Sequence, residues 1–191
     1  MNIDDKILHI FKKYGNAYAS GEEISRELGV SRTSIWKHIE TLRDLGYEIE
    51  ALPHLGYKLT GRPDRLIPEE IKNDLKTKSL GKNILSYASV DSTNDTAYKL
   101  AEAGAKEGTV VIAEKQKKGK GRQGRAWVSP KGGIYLSCVI RPDIEPKEVA
   151  KITLVSAVAV CTAIREIANV AALIKWPNDI TIGGKKVCGI L

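Results

Sequence analysis

Segment 115–131 carries the side chains of this 191-residue sequence that are best suited to binding an anion. It contains seven basic residues and no acidic one, and three glycines interrupt it. Glycine lets backbone N–H groups approach an anion closely, and Lys120, Arg122 and Arg125 would neutralise its charge. The segment predicts a site for a phosphorylated small molecule as readily as for DNA. A solvated basic surface loop is the alternative interpretation.

The two common glycine-rich nucleotide motifs do not describe this segment. Residues 119–124 match the pattern GxGxxG, but a dinucleotide fold needs a helix to begin at the third glycine. Pro130 and the glycine pair at 132–133 follow instead, and they prevent that helix. A Walker sequence is absent from the chain. The motif therefore indicates a basic glycine-rich loop and no more.

Histidine and cysteine chemistry is not expected in the second part of the chain. The last histidine is His54, which argues against Ser-His-Asp and Cys-His mechanisms beyond it. The three cysteines, Cys138, Cys161 and Cys188, are widely spaced and form no CxxC pair. We expect reduced, buried thiols in a cytoplasmic protein and no zinc site. Catalysis must then depend on Lys, Arg, polar groups and a metal ion.

The elements that would position these groups form an α/β pattern from residue 83 onward. A polar turn at 91–95 is expected to cap a helix, and residues 146–168 read as a long helix with an apolar stripe. The stripe would comprise Leu154, Val158, Cys161, Ile164 and Ile167. Expected strands cover 84–90, 109–113, 133–140, 172–175, 180–182 and 187–191. This alternation predicts a mixed sheet.

The first sixty residues predict a different module, a winged helix-turn-helix. Ser20 and Glu23 fit a capping box, and Gly29 ends that helix. Ser31 can cap a third helix with apolar residues every three or four positions. Short alternating runs on either side of residues 53–56 predict a β-hairpin, the wing.

The third helix exposes polar and basic residues near its N-terminal half, and these suit phosphates and base edges in a major groove. The predicted DNA-binding residues are Ser31, Arg32, Thr33, Ser34, Lys37 and His38. The module is electrically neutral, with nine basic and nine acidic residues in 1–62, so a dimer would bind DNA better than a monomer. A packing or partner module is the alternative.

Composition along the chain indicates the domain boundaries. We expect a DNA-binding domain at 1–62, a linker with a short helix at 63–82, and a partial catalytic domain at 83–191. The formal net charge of +7 comes from residues 112–191, which alone carry +8. No apolar run reaches 18 residues and the N-terminus has no signal-peptide pattern, so we expect no membrane segment. The fold class is α+β overall.

Four motifs in order resemble those of the biotin–protein ligases. Residues 116–127 are similar to their biotin-binding loop, and Ser-Thr-Asn at 92–94 resembles their polar turn. Lys-Trp-Pro-Asn-Asp at 175–179 matches a third motif, and residues 186–191 look like their Lys-x-x-Gly-Ile-Leu strand. The N-terminal module points to the bifunctional subclass, which also represses the biotin operon. Lys120 departs from the pattern, because arginine is common there and lysine loses its bidentate fork.

The resemblance implies roles for individual residues. Ser92, Thr93 and Gln116 would hydrogen-bond the ureido ring of biotin, with Asn94 beside them. Lys120, Gly121 and Arg122 would hold the biotin carboxylate and the AMP phosphate, and Trp127 would wall the site. Lys186 and Arg122 would be the catalytic residues. Lys175, Asn178 and Asp179 would help to position the triphosphate, with Asn178 and Asp179 on its Mg²⁺.

The implied reaction joins biotin and ATP as biotinyl-5′-AMP and transfers the biotinyl group to a lysine of a carboxylase's biotin carboxyl carrier protein. The adenylate would also favour a homodimer that binds operator DNA. The family's catalytic domain continues past the position of Leu191, so we expect a truncated form with impaired ligase activity. A lipoate-type adenylating ligase and a ligand-sensing regulator without ligase activity are the alternatives.

Overall fold

A computed structural model describes residues 2–73 and 75–191. The chain forms two compact units, which meet in sequence at residues 74 and 75. The helices of the first unit are α1 (Ile3–Tyr14), α2 (Gly21–Leu28), α3 (Arg32–Asp44) and α4 (Pro68–Asn73), and its strands are β1 (Glu48–Leu52) and β2 (Gly56–Gly61). Strands β1 and β2 pair antiparallel, which confirms the predicted wing.

Two helices of the first unit, α1 and α2, begin with a capping box. In α2 the Ser20 hydroxyl accepts the Glu23 N–H at 3.1 Å, and the Glu23 carboxylate accepts the Ser20 N–H at 3.0 Å. This pair was predicted from sequence. Asn2 and Asp5 make the same reciprocal pair on α1, at 2.8 and 3.0 Å, and this pair was not predicted from sequence. Gly29 ends α2 in the left-handed conformation.

The core of the first unit is apolar and continuous across its three longer helices and the wing. Its most completely buried side chains are Ile7, Ile24, Ile35, Ile39 and Leu42. On α3 the buried residues Ile35, Ile39 and Leu42 recur every three or four positions, as an amphipathic helix requires. The opposite face of α3 is therefore free to meet solvent or a partner.

The second unit contains eight strands and two α-helices, with two short 3₁₀ turns between them. The helices are α5 (Thr93–Glu102) and α6 (Ala150–Ala168). The strands are β3 (Ile84–Tyr87), β4 (Val110–Ala113), β5 (Gln116–Lys120), β6 (Ala126–Ser129), β7 (Tyr135–Cys138), β8 (Ala172–Lys175), β9 (Asp179–Ile182) and β10 (Lys185–Gly189). The first 3₁₀ turn, Arg122–Gly124, lies between β5 and β6, and the second, Pro146–Glu148, precedes α6.

The strands of the second unit form three small sheets rather than one. Strand β4 pairs parallel with β3 and antiparallel with β7, so this sheet is mixed as predicted. Strands β8, β9 and β10 form an antiparallel meander. Strands β5 and β6 form a separate hairpin, so the segment expected to be a glycine-rich loop is largely β structure.

Helix α6 buries only part of the expected stripe. Ala157 and Cys161 are its buried residues, whereas Ile167 is 86% exposed and Val158 is 49% exposed. Cys161 and Ile164 pack with Ala172 of β8 and Ile180 of β9, and Leu154 is half-buried. The helix is apolar nearly all round, so periodicity alone could not select the face. Among the described residues, no helix combines the length and hydropathy needed to cross a bilayer.

Candidate functional site

The N-terminus of α5 holds the first predicted motif. Ser92 is the N-cap residue and is 1% exposed, and its hydroxyl accepts the Asp95 N–H at 3.4 Å. Thr93 is also buried, while Asn94 is exposed in the first turn. The Ser-Thr-Asn turn is thus a helix cap, and its two buried hydroxyls lie at the positive end of the helix dipole.

Thr93 and Gln116 form the centre of a buried polar network. The Gln116 side-chain oxygen accepts the Thr93 N–H at 2.8 Å and the Thr93 hydroxyl at 3.0 Å. The Gln116 amide donates to the Ser129 hydroxyl at 3.0 Å, and the Ser137 hydroxyl donates to Thr93 Oγ1 at 3.0 Å. Four neutral polar side chains from α5, β5, β6 and β7 therefore lie together. Ser129 and Ser137 were not predicted, since they are 13 and 44 residues from their partners.

The β5–β6 hairpin connects this network to the basic residues. Gly119 lies against β6 so closely that a Cβ atom would come within 2.4 Å of both the Ser129 hydroxyl and the Trp127 carbonyl oxygen. Glycine is therefore a steric requirement there. At the end of β5, the Lys120 ammonium lies 2.6 Å from the Asp95 carboxylate of α5. This ion pair holds the hairpin against the helix that carries Thr93.

Gly121 and Arg122 follow Lys120 at the turn of the hairpin. The Gly121 N–H donates to the Arg125 carbonyl at 2.7 Å, so it is used within the turn. The Arg122 and Arg125 side chains are exposed. Gln123 adopts a positive φ of 58° between them. The turn therefore exposes two long cationic side chains to solvent, next to Lys120, which is paired with Asp95.

A second cluster brings together Lys186 of β10, Asp179 of β9 and Trp127 of the β5–β6 hairpin. Lys186 Nζ lies 2.7 Å from Asp179 Oδ1 and 4.7 Å from the centre of a Trp127 ring. A Cβ atom at Gly189 would lie 3.1 Å from Lys186 Nζ and 3.4 Å from Trp127. The ammonium is thus bordered by a carboxylate, an indole face and bare backbone. Trp127 belongs to β6, so the hairpin reaches both clusters.

The Lys-Trp-Pro-Asn-Asp motif forms the turn between β8 and β9. The Asn178 amide donates to the Ile190 carbonyl at 2.9 Å, and the Ile190 N–H donates to the Asn178 carbonyl at 2.8 Å. These bonds hold the segment after β10 against the turn. Lys175 is opposite Asp179 in the register of the two strands, and its side chain is exposed.

The residues predicted for Mg²⁺ form a sparse donor set. Across 2–73 and 75–191, three or more His, Cys, Asp or Glu side chains nowhere gather as a metal cluster would require. Asp179 contributes one carboxylate, which contacts Lys186. Mg²⁺ is commonly held by one or two carboxylates together with substrate phosphates and water. The donor set therefore fits a metal brought in by a nucleotide and does not fit a metal held by protein alone.

The cysteines do not take part in these clusters as nucleophiles. Burial raises the pKa of the Cys188 thiol, and the positive charge of Lys186 lowers it by a smaller amount. Burial also raises the pKa of Cys138. Both groups are therefore protonated thiols near neutral pH.

On α3, the predicted DNA-binding residues divide into an exposed set and a set that makes internal contacts. Arg32, Thr33 and Lys37 are exposed. Ser31 caps the helix through the Ser34 N–H at 3.1 Å. His38 is half-buried, and its Nδ1 lies 2.7 Å from Asp4 Oδ1 on α1. The side chain of His38 therefore binds the neighbouring helix.

An open cleft of about 410 Å³ lies beside the first cluster and is lined by Asp91, Ser92, Asp95 and Lys120, among others. A larger cleft of about 620 Å³ is lined by residues such as Ser79, Asn83 and Glu107. The larger one contains none of the predicted site residues, so its size alone does not make it the site.

Comparison with known families gives two matches. Residues 86–191, more than half of the chain, match the Biotin/lipoate A/B protein ligase family. Residues 5–58 match an HTH domain. The first range contains every predicted ligand-binding residue, and the second contains every predicted DNA-binding residue.

Individual relatives agree with these matches. The chain is 46% identical over 186 residues to the bifunctional ligase/repressor BirA of Bacillus subtilis, covering 97% of this chain and 57% of that protein. It is 36% identical over 176 residues to the Escherichia coli protein of the same description, covering 91% and 53%. Biotin protein ligase from Leishmania major, solved with biotinyl-5-AMP, is 31% identical with a TM-score of 0.50, covering 58% and 51%. The chain thus spans little more than half the length of these relatives.

Proposed function

The chain belongs to the biotin/lipoate A/B protein ligase family, and from that premise we propose that its second unit binds biotin and ATP and joins them as biotinyl-5′-AMP. The observation that carries this proposal is the juxtaposition of a neutral polar network with paired cations. The Thr93–Gln116 network lies at one end of the β5–β6 hairpin strands, and Lys120 lies at the other end of β5. A ligand with a neutral polar head and an anionic tail fits this arrangement.

The neutral network is suited to the ureido ring of biotin. The Gln116 amide has two N–H groups, of which Ser129 accepts one, and the Thr93 hydroxyl still has a lone pair beyond its two hydrogen bonds. Ser92 adds a buried hydroxyl nearby. A buried polar group that loses its partner costs about 1–3 kcal/mol, so this set would discriminate against a ring without matching groups.

The cationic residues are suited to the reacting groups. Lys120 and Arg122, with Gly121 between them, would bind the biotin carboxylate and the α-phosphate, and Lys186 would stabilise the charge that develops at phosphorus. The carboxylate oxygen attacks the α-phosphorus, the bond to the β-phosphate oxygen breaks, and pyrophosphate leaves. Lys175 would contact the triphosphate, and Asn178 and Asp179 would bind the accompanying Mg²⁺, which neutralises phosphate charge.

The second step transfers the biotinyl group to a carrier protein. A lysine amine of a biotin carboxyl carrier protein attacks the carbonyl carbon of the mixed anhydride. An amide bond forms, AMP leaves, and the amine loses a proton. Positioning of the two reactants supplies most of the rate, because the anhydride is already activated.

We further propose that the first unit binds operator DNA as part of a homodimer, with biotinyl-5′-AMP as corepressor. The HTH match and the exposed Arg32, Thr33 and Lys37 support DNA binding. The similarity to two bifunctional ligase/repressor proteins supports the link between the two activities. A protein with these two partners would act in the cytoplasm.

The test is to mix the purified chain with biotin and MgATP and to look for biotinyl-5′-AMP by mass spectrometry. Pyrophosphate release is measured in parallel, because a ligand sensor would produce none. Calorimetric titration with biotin, and then with lipoate as competitor, gives a readout that does not need turnover. Tight biotin binding that lipoate does not displace is the expected result. Preference for lipoate, or no binding of biotin, would contradict the proposal.

A further inference from the structure

Trp36 is an exposed aromatic residue on the face of α3 that points away from the core. Its neighbour Ile35 is 1% exposed, whereas Trp36 is 53% exposed. Ile35, Ile39 and Leu42 supply the buried face of the helix. A large indole on the outer face contributes little to the core, and Trp is one of the residues enriched where proteins bind partners.

The exposed surface around Trp36 is positively charged. Arg32 and Trp36 are four residues apart, as are Thr33 and Lys37, so the four exposed side chains form two adjacent rows along α3. The first turn of α3 contains no acidic residue. Glu40, one turn further on, lies 2.7 Å from Arg43, which reduces its effect on this surface. A polyanion is therefore the favoured partner.

We propose that Trp36 contacts the 5-methyl groups of thymines in the DNA major groove and is a specificity residue of the first unit. This inference rests on the proposed binding of operator DNA. Thymine is the base that presents a methyl group in the major groove, and an apolar side chain reads it by direct contact. Arg32 and Lys37, on either side of the indole, have the charge and length to bind the phosphates that set the register.

His38, although it is also on α3, does not lie on the exposed face with Trp36. Its contact with Asp4 directs it to α1, so the exposed residues in the first two turns of α3 are Arg32, Thr33, Trp36 and Lys37. The polar members of the face, Arg32, Thr33 and Lys37, can donate hydrogen bonds to guanine, to phosphate or to either. Trp36 adds the largest apolar surface on this face, beside the small methyl group of Thr33.

The experiment selects duplexes from a randomised 40-base-pair library with the 191-residue chain, in the presence of biotin and MgATP. The selected duplex is amplified once with dTTP and once with dUTP, which removes the thymine methyl groups and keeps the base pairing. Affinities of the wild-type chain and of Trp36→Ala are measured for both duplexes across a series of salt concentrations. Trp36→Phe, which keeps an apolar ring, and Leu45→Ala, which removes an exposed apolar side chain at the other end of α3, serve as controls.

We expect the wild-type chain to lose roughly 3- to 10-fold in affinity on the uracil duplex, as loss of apolar methyl contacts predicts. Trp36→Ala should lose a similar factor on the thymine duplex and nothing further on the uracil duplex. Its slope of log Kd against log salt should equal that of the wild type, because no phosphate contact is removed. Trp36→Phe should retain part of the methyl dependence, and Leu45→Ala should behave as the wild type.

Two results overturn the inference alone: a Trp36→Ala variant that binds the selected duplex as well as the wild type, or one that remains sensitive to the methyl groups. If Trp36→Ala leaves DNA binding intact but abolishes association with another protein or copy, the surface belongs to that partner. If the wild-type chain enriches no sequence at all, the proposed DNA binding fails and this inference fails with it. Circular dichroism of each variant confirms that α3 is formed.

Discussion

Lys186 Nζ lies 2.7 Å from Asp179 Oδ1, and the same ammonium faces the Trp127 ring at 4.7 Å. The Lys120 ammonium has an equivalent partner in Asp95, at 2.6 Å. Two of the cations proposed to meet the reacting anions, Lys120 and Lys186, are thus already oriented by aspartates on other elements. An incoming phosphate or carboxylate competes with an aspartate for a fixed ammonium, and the entropy of ordering a free lysine has already been lost. These pairs give a physical basis for testing each lysine separately.

Lys186→Gln should reduce the rate of biotinyl-5′-AMP formation by about 100-fold or more, because one preorganised positive charge near the phosphorus is lost. Biotin affinity should fall much less, since the ureido contacts remain. The rate is measured by mass spectrometry under saturating biotin and MgATP. Lys185→Gln is the matched control, because the adjacent residue of β10 points to the other face of the strand and is exposed. Equal rates for the two variants would remove Lys186 from the mechanism.

Gln116→Leu should weaken biotin binding by about tenfold or more, because the Thr93 N–H and the Ser129 hydroxyl both lose a partner in a buried network. Isothermal calorimetry measures the change. Thr109→Val is the control: it also removes a buried hydroxyl hydrogen bond, here to the Lys106 carbonyl, which is not a member of the network. A loss of affinity in Thr109→Val as large as in Gln116→Leu would show that general destabilisation explains the effect.

His38→Ala should lower the local stability of α1 and α3 by about 1 kcal/mol, because the half-buried contact with Asp4 is lost. Hydrogen exchange of the amides in these helices measures this. The salt dependence of binding to a selected duplex should be unchanged. Lys37→Ala should behave in the opposite way, with normal exchange and a salt slope reduced by about one. If His38→Ala reduces the slope instead, the histidine contacts phosphate as the sequence suggested.

The two capping boxes should contribute to the pH dependence of stability with opposite signs. Desolvation raises the pKa of Asp5 above its ordinary 3.8, and this outweighs the lowering by the Asn2 N–H. The folded state then binds the proton more tightly, so stability contributed by Asp5 is lost as pH rises from 3.8 through the folded pKa. The Ser20 N–H lowers the pKa of Glu23 below 4.5, so its contribution is present above 4.5 and is lost as pH falls through the folded pKa.

Asp5→Asn and Glu23→Gln keep the acceptor oxygen of each box and remove the titration. Relative to the wild type, Asp5→Asn should gain stability as pH rises past 3.8, and Glu23→Gln should lose stability as pH rises to 4.5. Urea unfolding at several pH values between 3 and 6 makes the comparison. If the stability of both variants, relative to the wild type, changed in the same direction with rising pH, the pKa values of Asp5 and Glu23 would not be shifted in opposite directions.

Local signals in the sequence were sufficient for the helices of the first unit. Ser20 with Glu23, Gly29 and Ser31 predicted the boundaries that the structure has, because caps depend on residues three or four positions apart. The Asn2–Asp5 box has the same spacing and could have been found by the same rule. The box was missed because its N3 residue is aspartate, whereas the usual residue at N3 is glutamate or glutamine.

The second unit was less predictable because its site depends on contacts between distant residues. Ser137 meets Thr93 across 44 positions, and Asp95 meets Lys120 across 25. No spacing rule identifies such partners. Gly119 and Gly121 suggested a loop because glycine weakens a strand, yet the close approach of β6 is what requires a glycine at 119. On α6, small residues face the sheet and larger apolar residues lie on other faces. The apolar periodicity therefore did not identify the buried side of the helix.

The contact between Asp4 and His38 has a practical consequence for handling the protein. The first turn of α1 is bonded to the helix proposed to read DNA, and Asn2 completes the cap that starts α1. A purification tag fused directly before Asn2 would therefore adjoin the cap of α1. A histidine tag placed there would bring extra imidazoles close to Asp4, the partner of His38. Gel-shift results obtained with such fusions should be repeated after proteolytic removal of the tag.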